Sequence, residues 1–326
     1  LHKEYRRQRQ MCIRDRGKID LPTHISTSFR FIASISTFDY YKKDKLFSRN
    51  DKPSFNSKDE RFVKLMVALP FLANKRAEFS LGYGQLEDNY FQSSVIDFDK
   101  DRSDRSTYKL LGGSIGFYGS TLNTRQYATK GYLEKLIAQV FTGRERFEPG
   151  NPQEGYSPSP QERQSWLQIS YMKEAYHTMG PKFTLGWMAE ALYSSKNFSE
   201  NYTATMMQAG EFAPTPHSKL MYNEAFRANQ YVAAGIKPIY VLNDMFQFRT
   251  EFYGFTPIFP IKKNALNKAY YGKAFSKFEY LGEISVVCQL PFGDISAYVN
   301  HYSSPKREWN VGLSIGWQLF NYRFIE

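Results

Sequence analysis

Cysteine is nearly missing from this chain, with Cys12 and Cys288 the two present. Two thiols so far apart, one of them in an atypical leading segment, imply neither a disulfide framework nor a zinc site. Long hydrophobic runs are missing as well. The longest nearly continuous apolar stretch is LMVALPFL at 65–72, far short of the roughly 20 residues that a membrane-spanning helix needs. Histidine is sparse, and His2, His24, His177, His217 and His301 are scattered without ligand spacing. No metal and no cofactor is expected. Nor does an Asp-Gly pair occur anywhere in the 326 residues, an absence that bears on hydrolase chemistry below.

What the chain does have is aromatic side chains and positive charge. With 24 Tyr and 27 Phe, aromatics reach 17% of residues while mean hydropathy stays at -0.54. The net charge of +11 invites nucleic acid or an anionic surface as partner. Part of that charge is suspect, because the first sixteen residues, LHKEYRRQRQMCIRDR, hold six of the 43 basic and two of the 32 acidic residues. The string MCIRDR resembles translated sequencing adapter, and nothing around it has strand or helix periodicity. Residues 1–16 are therefore expected to be a non-native, adapter-derived segment, and 17–326 the folded domain, truncated at its N-terminal end. The other basic residues are spread over the chain without a clustered patch or recognised module, so no nucleic acid partner is expected.

From residue 22 onward, segments of ten to seventeen residues alternate apolar and polar with a period of two, the mark of strands. Val63, Leu65, Val67 and Leu69 share one face while Lys64, Met66 and Ala68 share the other. Ala77, Phe79, Leu81 and Tyr83 stand opposite Glu78, Ser80, Gly82 and Gly84, and Phe183, Leu185, Trp187 and Ala189 opposite Thr184, Gly186 and Met188. Twelve strands are expected, at 24–42, 59–71, 76–90, 106–119, 131–146, 163–176, 181–195, 224–240, 245–257, 273–289, 292–302 and 307–320. Connections such as ANKR (73–76), NTRQYATKG (123–131) and HTMGPK (177–182) are short, and they alternate with long polar ones such as 43–58, 91–105 and 196–223. Long antiparallel strands with short turns at one end and long loops at the other are the pattern of an outer-membrane β-barrel. Hydrocarbon cannot satisfy strand backbone groups, so the sheet must close on itself. A soluble sandwich would bury the apolar faces inward, and the one-sided loop lengths and small polar residues fit it poorly. The fold class is accordingly all-β, an antiparallel transmembrane β-barrel in the outer membrane of a Gram-negative bacterium.

Two stretches, GGSIG at 112–116 and GLSIG at 312–316, match G-x-S-x-G, the nucleophile elbow of serine hydrolases. An elbow sets its serine on a sharp strand-to-helix turn. Ser114 and Ser314 instead lie in the middle of alternating strands, so both matches read as coincidences of small lumen-facing residues, and no catalytic residue is expected in this chain. The four tryptophans, Trp166, Trp187, Trp309 and Trp317, read as interfacial girdle residues, and Cys288 as a small lipid-facing hydrophobe.

The segments TLNTRQYATKGYLEKLIAQVFTGRERFEPG (121–150), NEAFRANQYVAAGIKPIYVLNDMFQFRTEFYGFTPI (223–258) and the ending GWQLFNYRFIE resemble the barrel of bacterial patatin-like outer-membrane phospholipases. The resemblance runs over essentially all of 22–326 and implies a sixteen-stranded barrel of the bacterial surface antigen type, of which about twelve strands are present. It further implies a patatin domain and a POTRA-type linker upstream, with acyl-ester hydrolysis of lipids by a Ser-Asp dyad in the parent. A barrel-assembly or protein-secretion pore without an enzyme shares the same architecture. In the family the sixth external loop folds into the lumen and ends in an Arg-Gly-aromatic motif. Here 196–223 takes the place of that loop and FRANQY (226–231) that of the motif, with Arg227 the matching arginine and Ala228 where glycine is expected. An arginine inside a barrel needs carboxylate partners. Glu251 and Glu283 point to the lumen by alternation on the next two strands, and either Arg227 pairs with one or both and pins the loop, or the three stand as independent solvated charges in a wet lumen. The implied partners are outer-membrane lipid and the barrel assembly machinery, the latter reading the C-terminal strand at Asn310, Gly312, Ile315 and Trp317.

Overall fold

A computed structural model describes residues 27–40, 56–92, 101–151, 163–290, 293–304, 309–316 and 323–325. The expected non-native segment 1–16 and Trp317 lie outside the described residues. In chain order the elements begin β1 (Ser28–Tyr40), β2 (Asn56–Leu72), β3 (Lys75–Tyr90), β4 (Asp104–Ser120), β5 (Gly131–Glu148), β6 (Gln164–Thr178) and β7 (Phe183–Ser194). Then come a short helix α1 (Tyr202–Gln208), β8 (Gly210–Glu211), β9 (Arg227–Ala228), β10 (Gln230–Val241) and β11 (Phe246–Pro257). The order closes with β12 (Ile261–Lys263), β13 (Ala269–Tyr271), β14 (Glu279–Leu290), β15 (Gly293–Tyr302) and β16 (Trp309–Gly316).

All twelve expected strands form, and they make one antiparallel sheet in the order β1-β2-β3-β4-β5-β6-β7-β10-β11-β14-β15-β16. Among the described residues β1 and β16 are the two ends of that order. The small ladders β8–β9 and β12–β13 stand apart from the sheet. Two expected starts are late. The strand expected from 224 begins at Gln230, because Arg227 and Ala228 are used by the separate β8–β9 ladder, and the one expected from 273 begins at Glu279.

The sheet is hydrophobic on its outside. Leu65 faces Leu81 across β2 and β3, and the same outer row continues through Gly113, Val140 and Leu167. Leu65, Leu81 and Val140 are 58–59% exposed, whereas Lys64, one residue from Leu65, is 4% exposed on the inner face. In water such a row would be a large apolar patch. Against hydrocarbon it is the surface the sheet needs, with every strand bonded to its neighbours. Trp309 lies on the outer face, while Trp166 does not belong to a girdle. It is buried on the inner face of β6, where it stacks on Phe141 with ring centroids 5.2 Å apart. Position near a strand end therefore failed as a girdle signal, because the alternation of β6 turns Trp166 inward.

Adjacent positions on β2 give a sharp test of this inside-out arrangement. Leu65→Arg should cost about 2–4 kcal/mol if it lies near the bilayer midplane, whereas Lys64→Arg, which keeps an inner cation, should cost far less. Denaturant unfolding in phospholipid vesicles measures both, and equal losses would contradict the assigned faces.

Candidate functional site

The inner face is where the chain concentrates its polar chemistry, and three segments fold onto it. The first is 195–229, between β7 and β10. It enters at Lys196, whose ammonium lies 4.5 Å from the Tyr108 ring centroid and 5.0 Å from that of Trp166. Burial pushes the pKa of this ammonium down to about 8, against the nearby Glu145 carboxylate, which holds it up. Asn201 then caps α1, accepting from the Ala204 amide at 2.8 Å, and its amide nitrogen donates to Tyr90 Oη at 2.7 Å. At the other end of α1, Gln208 donates to Asp88. Both fastenings are to β3, far from β7 in the sheet order. Phe212 follows, packed among Tyr231, Tyr253 and Phe255.

The same segment carries His217, stacked on Tyr298 of β15 with centroids 3.5 Å apart. Its Nε2 lies 3.7 Å from Glu283 Oε1 on β14 and 3.4 Å from Tyr127 Oη. Burial pushes its pKa down to about 4, opposed by the charge of Glu251, so the imidazole is neutral near pH 7.

Tyr127 belongs to the second inward segment, the connection between β4 and β5. Asn123 Oδ1 organises this turn by accepting the amides of Thr129 and Lys130, both at 3.0 Å. Tyr127 takes a positive φ of 53° and sends its hydroxyl to Ser296 Oγ on β15 at 2.9 Å. The turn's carbonyls are held by β11, where Gln247 Nε2 donates to Tyr127 O at 3.3 Å and Arg249 Nη1 to Ala128 O at 3.1 Å. Neighbouring strands lie about 4.8 Å apart, so a flat sheet would hold β5 well away from β11 and β15. These contacts require the sheet to curl with its polar face inside. The connection 123–131, expected to be a simple short turn, is thus a lumenal element.

The third segment is 323–325. Phe324 is buried against Phe62, Leu86, Leu110 and Phe141, its ring centroid 5.6 Å from Phe62 and 5.8 Å from Phe141. Glycine makes room for it. A Cβ at Gly84 would stand 3.0 Å from Phe324 Cγ and one at Gly82 3.2 Å from its Cε2.

Arg227, Glu251 and Glu283 all lie buried within the lumen, but their partners differ from those expected. Arg227 pairs with Glu211 Oε2 at 2.8 Å, across the β8–β9 ladder that ties the end of the inner segment back to its middle. Its Nη1 also donates to the carbonyls of Met207, Ala209 and Met206 at 3.2, 3.4 and 3.5 Å, all in the middle of the inner segment. The cation therefore closes the C-terminal end of α1. Glu251 pairs instead with Arg249 Nε at 2.7 Å, two residues along the same face of β11, and accepts from Tyr253. Glu283 meets His217. Ala228 sits in extended strand rather than a glycine-requiring turn. The close approach is taken by its partner Gly210, where a Cβ would lie 2.0 Å from Leu192 Cδ2 and 3.1 Å from Ala228 O.

Ser114 lies mid-strand, its Oγ 2.6 Å from that of Ser80 on β3, and Ser314 faces Ser296 in the ladder of β15 and β16. Neither is at a turn. Among the described residues no group of three metal-ligating side chains converges.

No family model matches this chain, and no curated protein sequence does either. Among solved structures, BamA from Haemophilus ducreyi lacking POTRA domains 1–3 is similar over 90% of this chain, with a TM-score of 0.54 at 12% identity. This chain spans 59% of that structure's length. BauA, the ferric preacinetobactin receptor of Acinetobacter baumannii, overlaps 85% of this chain and 44% of its own, with a TM-score of 0.41 at 11% identity. The β domain of the Bordetella autotransporter BrkA overlaps 89% and 95%, with a TM-score of 0.35 at 10% identity. With the apolar exterior and polar interior, the likeness to the BamA structure defines the class: the fold is that of a bacterial outer-membrane β-barrel. The protein is located in the outer membrane.

Two outcomes test this lumen. Arg227→Lys keeps the charge but loses the guanidinium fork that serves Glu211 and the helix carbonyls together, so limited proteolysis should cut within 195–229 at least several-fold faster while heat-modifiable migration is retained. For His217 the folded pKa is lowered below the ordinary value of about 6.5, so its contribution to docking is complete above that pH. It is lost as pH falls toward about 4, by up to about 3 kcal/mol. Cleavage in 195–229 should rise over that window in the wild type, and His217→Gln should flatten the rise.

Proposed function

We propose that this barrel is the membrane anchor or translocation pore of a patatin-like lipid acyl hydrolase whose catalytic domain is encoded upstream of residue 17. The observation that carries the reading is that the stretches resembling that family supply the lumen-filling elements. The 121–150 stretch contains the Tyr127 turn, 223–258 contains Arg227, Arg249 and Glu251, and the ending contains Phe324. An interior so crossed by side chains suits an anchor, with the chemistry carried by another domain. Arg227, Glu251 and Glu283 keep it filled: Arg227 folds the inner segment, Glu283 receives His217, and Glu251 orients Arg249 toward the turn. The C-terminal strand would offer Asn310, Gly312 and Ile315 to the barrel assembly machinery.

A second reading, an assembly or secretion barrel without an enzyme, is favoured by the likeness to the BamA structure. The discriminating experiment is recovery of the gene upstream of codon 17 from the source DNA. A G-x-S-x-G elbow followed by an Asp-Gly pair is expected, together with lipid acyl hydrolysis by the full-length protein. POTRA-like repeats alone would overturn the enzyme-linked reading and favour the second.

A further inference from the structure

The outer apolar surface of β3, β4 and β5 ends abruptly toward the long connections. Register orders its rows. The row of Leu81, Gly113, Val140 and Leu167 is followed by Tyr83, Leu111, Thr142 and Ser165. The next row is Gln85, Lys109 and Arg144, then Glu87, Thr107 and Arg146, then Asn89, Arg105 and Glu148. The surface thus changes from hydrocarbon to cation within one row, at the end of the barrel that carries the longer, external loops. The sequence scatters these cations between positions 105 and 163, and only strand pairing gathers them into the patch that sequence reading did not find.

Lys109 and Arg144 are the informative pair. They stand directly opposite each other on one face, an arrangement that is destabilising by itself. Among the described residues neither has a carboxylate partner. The two acidic groups on this face are already engaged, Glu87 by Arg105 Nε at 3.2 Å and Glu148 by Arg146 Nη2 at 2.9 Å. Arg163 stands beside them with its Nε on Thr142 Oγ1 at 2.9 Å. Together these side chains line a depression of about 620 Å³ that reaches down to Leu111 and Tyr83.

We propose that this depression binds the phosphate-bearing headgroup of a glycolipid in the external leaflet, with the phosphate bridging Lys109 and Arg144. An anion placed between two like charges turns their repulsion into charge-assisted hydrogen bonds, and the arginine fork matches phosphate geometry. Inorganic phosphate shares that chemistry, but it has no use for the apolar rows immediately below. A lipid fits both, its acyl chains lying along Leu81, Val140 and Leu167 while its headgroup meets the cations. The inference rests on the fold and on this surface, and not on the identity of any upstream domain.

The test reconstitutes the full chain into phosphatidylcholine vesicles and titrates in diphosphorylated lipid A, following binding by intrinsic fluorescence. Wild-type protein should bind the glycolipid, and Lys109→Gln with Arg144→Gln should weaken binding about fivefold for each cation removed, about 25-fold together. Lys109→Arg should retain binding, as should Lys182→Gln at the opposite end of the sheet. Without the glycolipid, the double variant should be at least as resistant to unfolding as the wild type, because a like-charge contact has been removed. Unchanged affinity in the double variant would overturn the proposal, as would equal binding of fully dephosphorylated lipid A. Complete displacement of the lipid by inorganic phosphate would assign the site to a free anion instead.

Discussion

A strand surrounded by hydrocarbon has nothing to hydrogen-bond to except another strand, and that constraint determines the rest of this molecule. It forces long neighbouring strands into one antiparallel order and fixes which face is apolar. Side chains that would form the core of a water-soluble protein, such as Leu65, Leu81 and Val140, stand outside, and the charged and amide groups are turned in. The difficulty of such a protein is therefore reversed. Its outside is easily satisfied by lipid, while its inside gathers buried donors and acceptors that need partners.

Those partners come from chain that leaves the sheet and returns to it. The segment between β7 and β10 brings Asn201 to Tyr90, Gln208 to Asp88 and His217 to Glu283. The turn between β4 and β5 brings its carbonyls to Gln247 and Arg249, and the two segments meet where His217 approaches Tyr127. Buried hydrogen bonds of this kind add only modest net stability, yet leaving one partner alone is costly. Their effect here is positional. Arg227 ties the end of the inner segment back to its middle through Glu211 and the α1 carbonyls, so residues 206–228 form a closed loop on the inner wall.

Much of the sheet was legible in the sequence because side-chain alternation survives in every long strand; Val63 to Leu69 or Phe183 to Tyr193 can be assigned to a face with no other information. The inward position of 196–223 was implied by the family resemblance, in which the loop before the Arg227 motif folds into the lumen. What alternation cannot report is contact across the curl of the sheet. The pairing of Arg227 with Glu211 was hidden because the two-residue ladder that sets it is too short to carry a period. Arg249, which takes Glu251, lies on the same face only two residues away, and it was overlooked in favour of a more distant cation. Trp166 reads as an interfacial residue and the ending carries no sign of where Phe324 lies, yet both are buried in the lumen by aromatic packing with Phe141. The cation row at Lys109 and Arg144 was invisible for a related reason, since register rather than proximity in sequence brings those residues together.

The sheet curls around an interior closed by two segments that touch. Cysteine crosslinking tests it most directly, with Tyr127→Cys and His217→Cys combined in a chain whose Cys12 and Cys288 are replaced by serine. Ser80→Cys with Ser114→Cys, cross-strand neighbours 2.6 Å apart at their hydroxyls, serves as the reference for a formed sheet. A short thiol crosslinker should join both pairs in the membrane-embedded protein and neither after unfolding. A crosslink at 80–114 without one at 127–217 would show instead a sheet whose two inner segments do not meet.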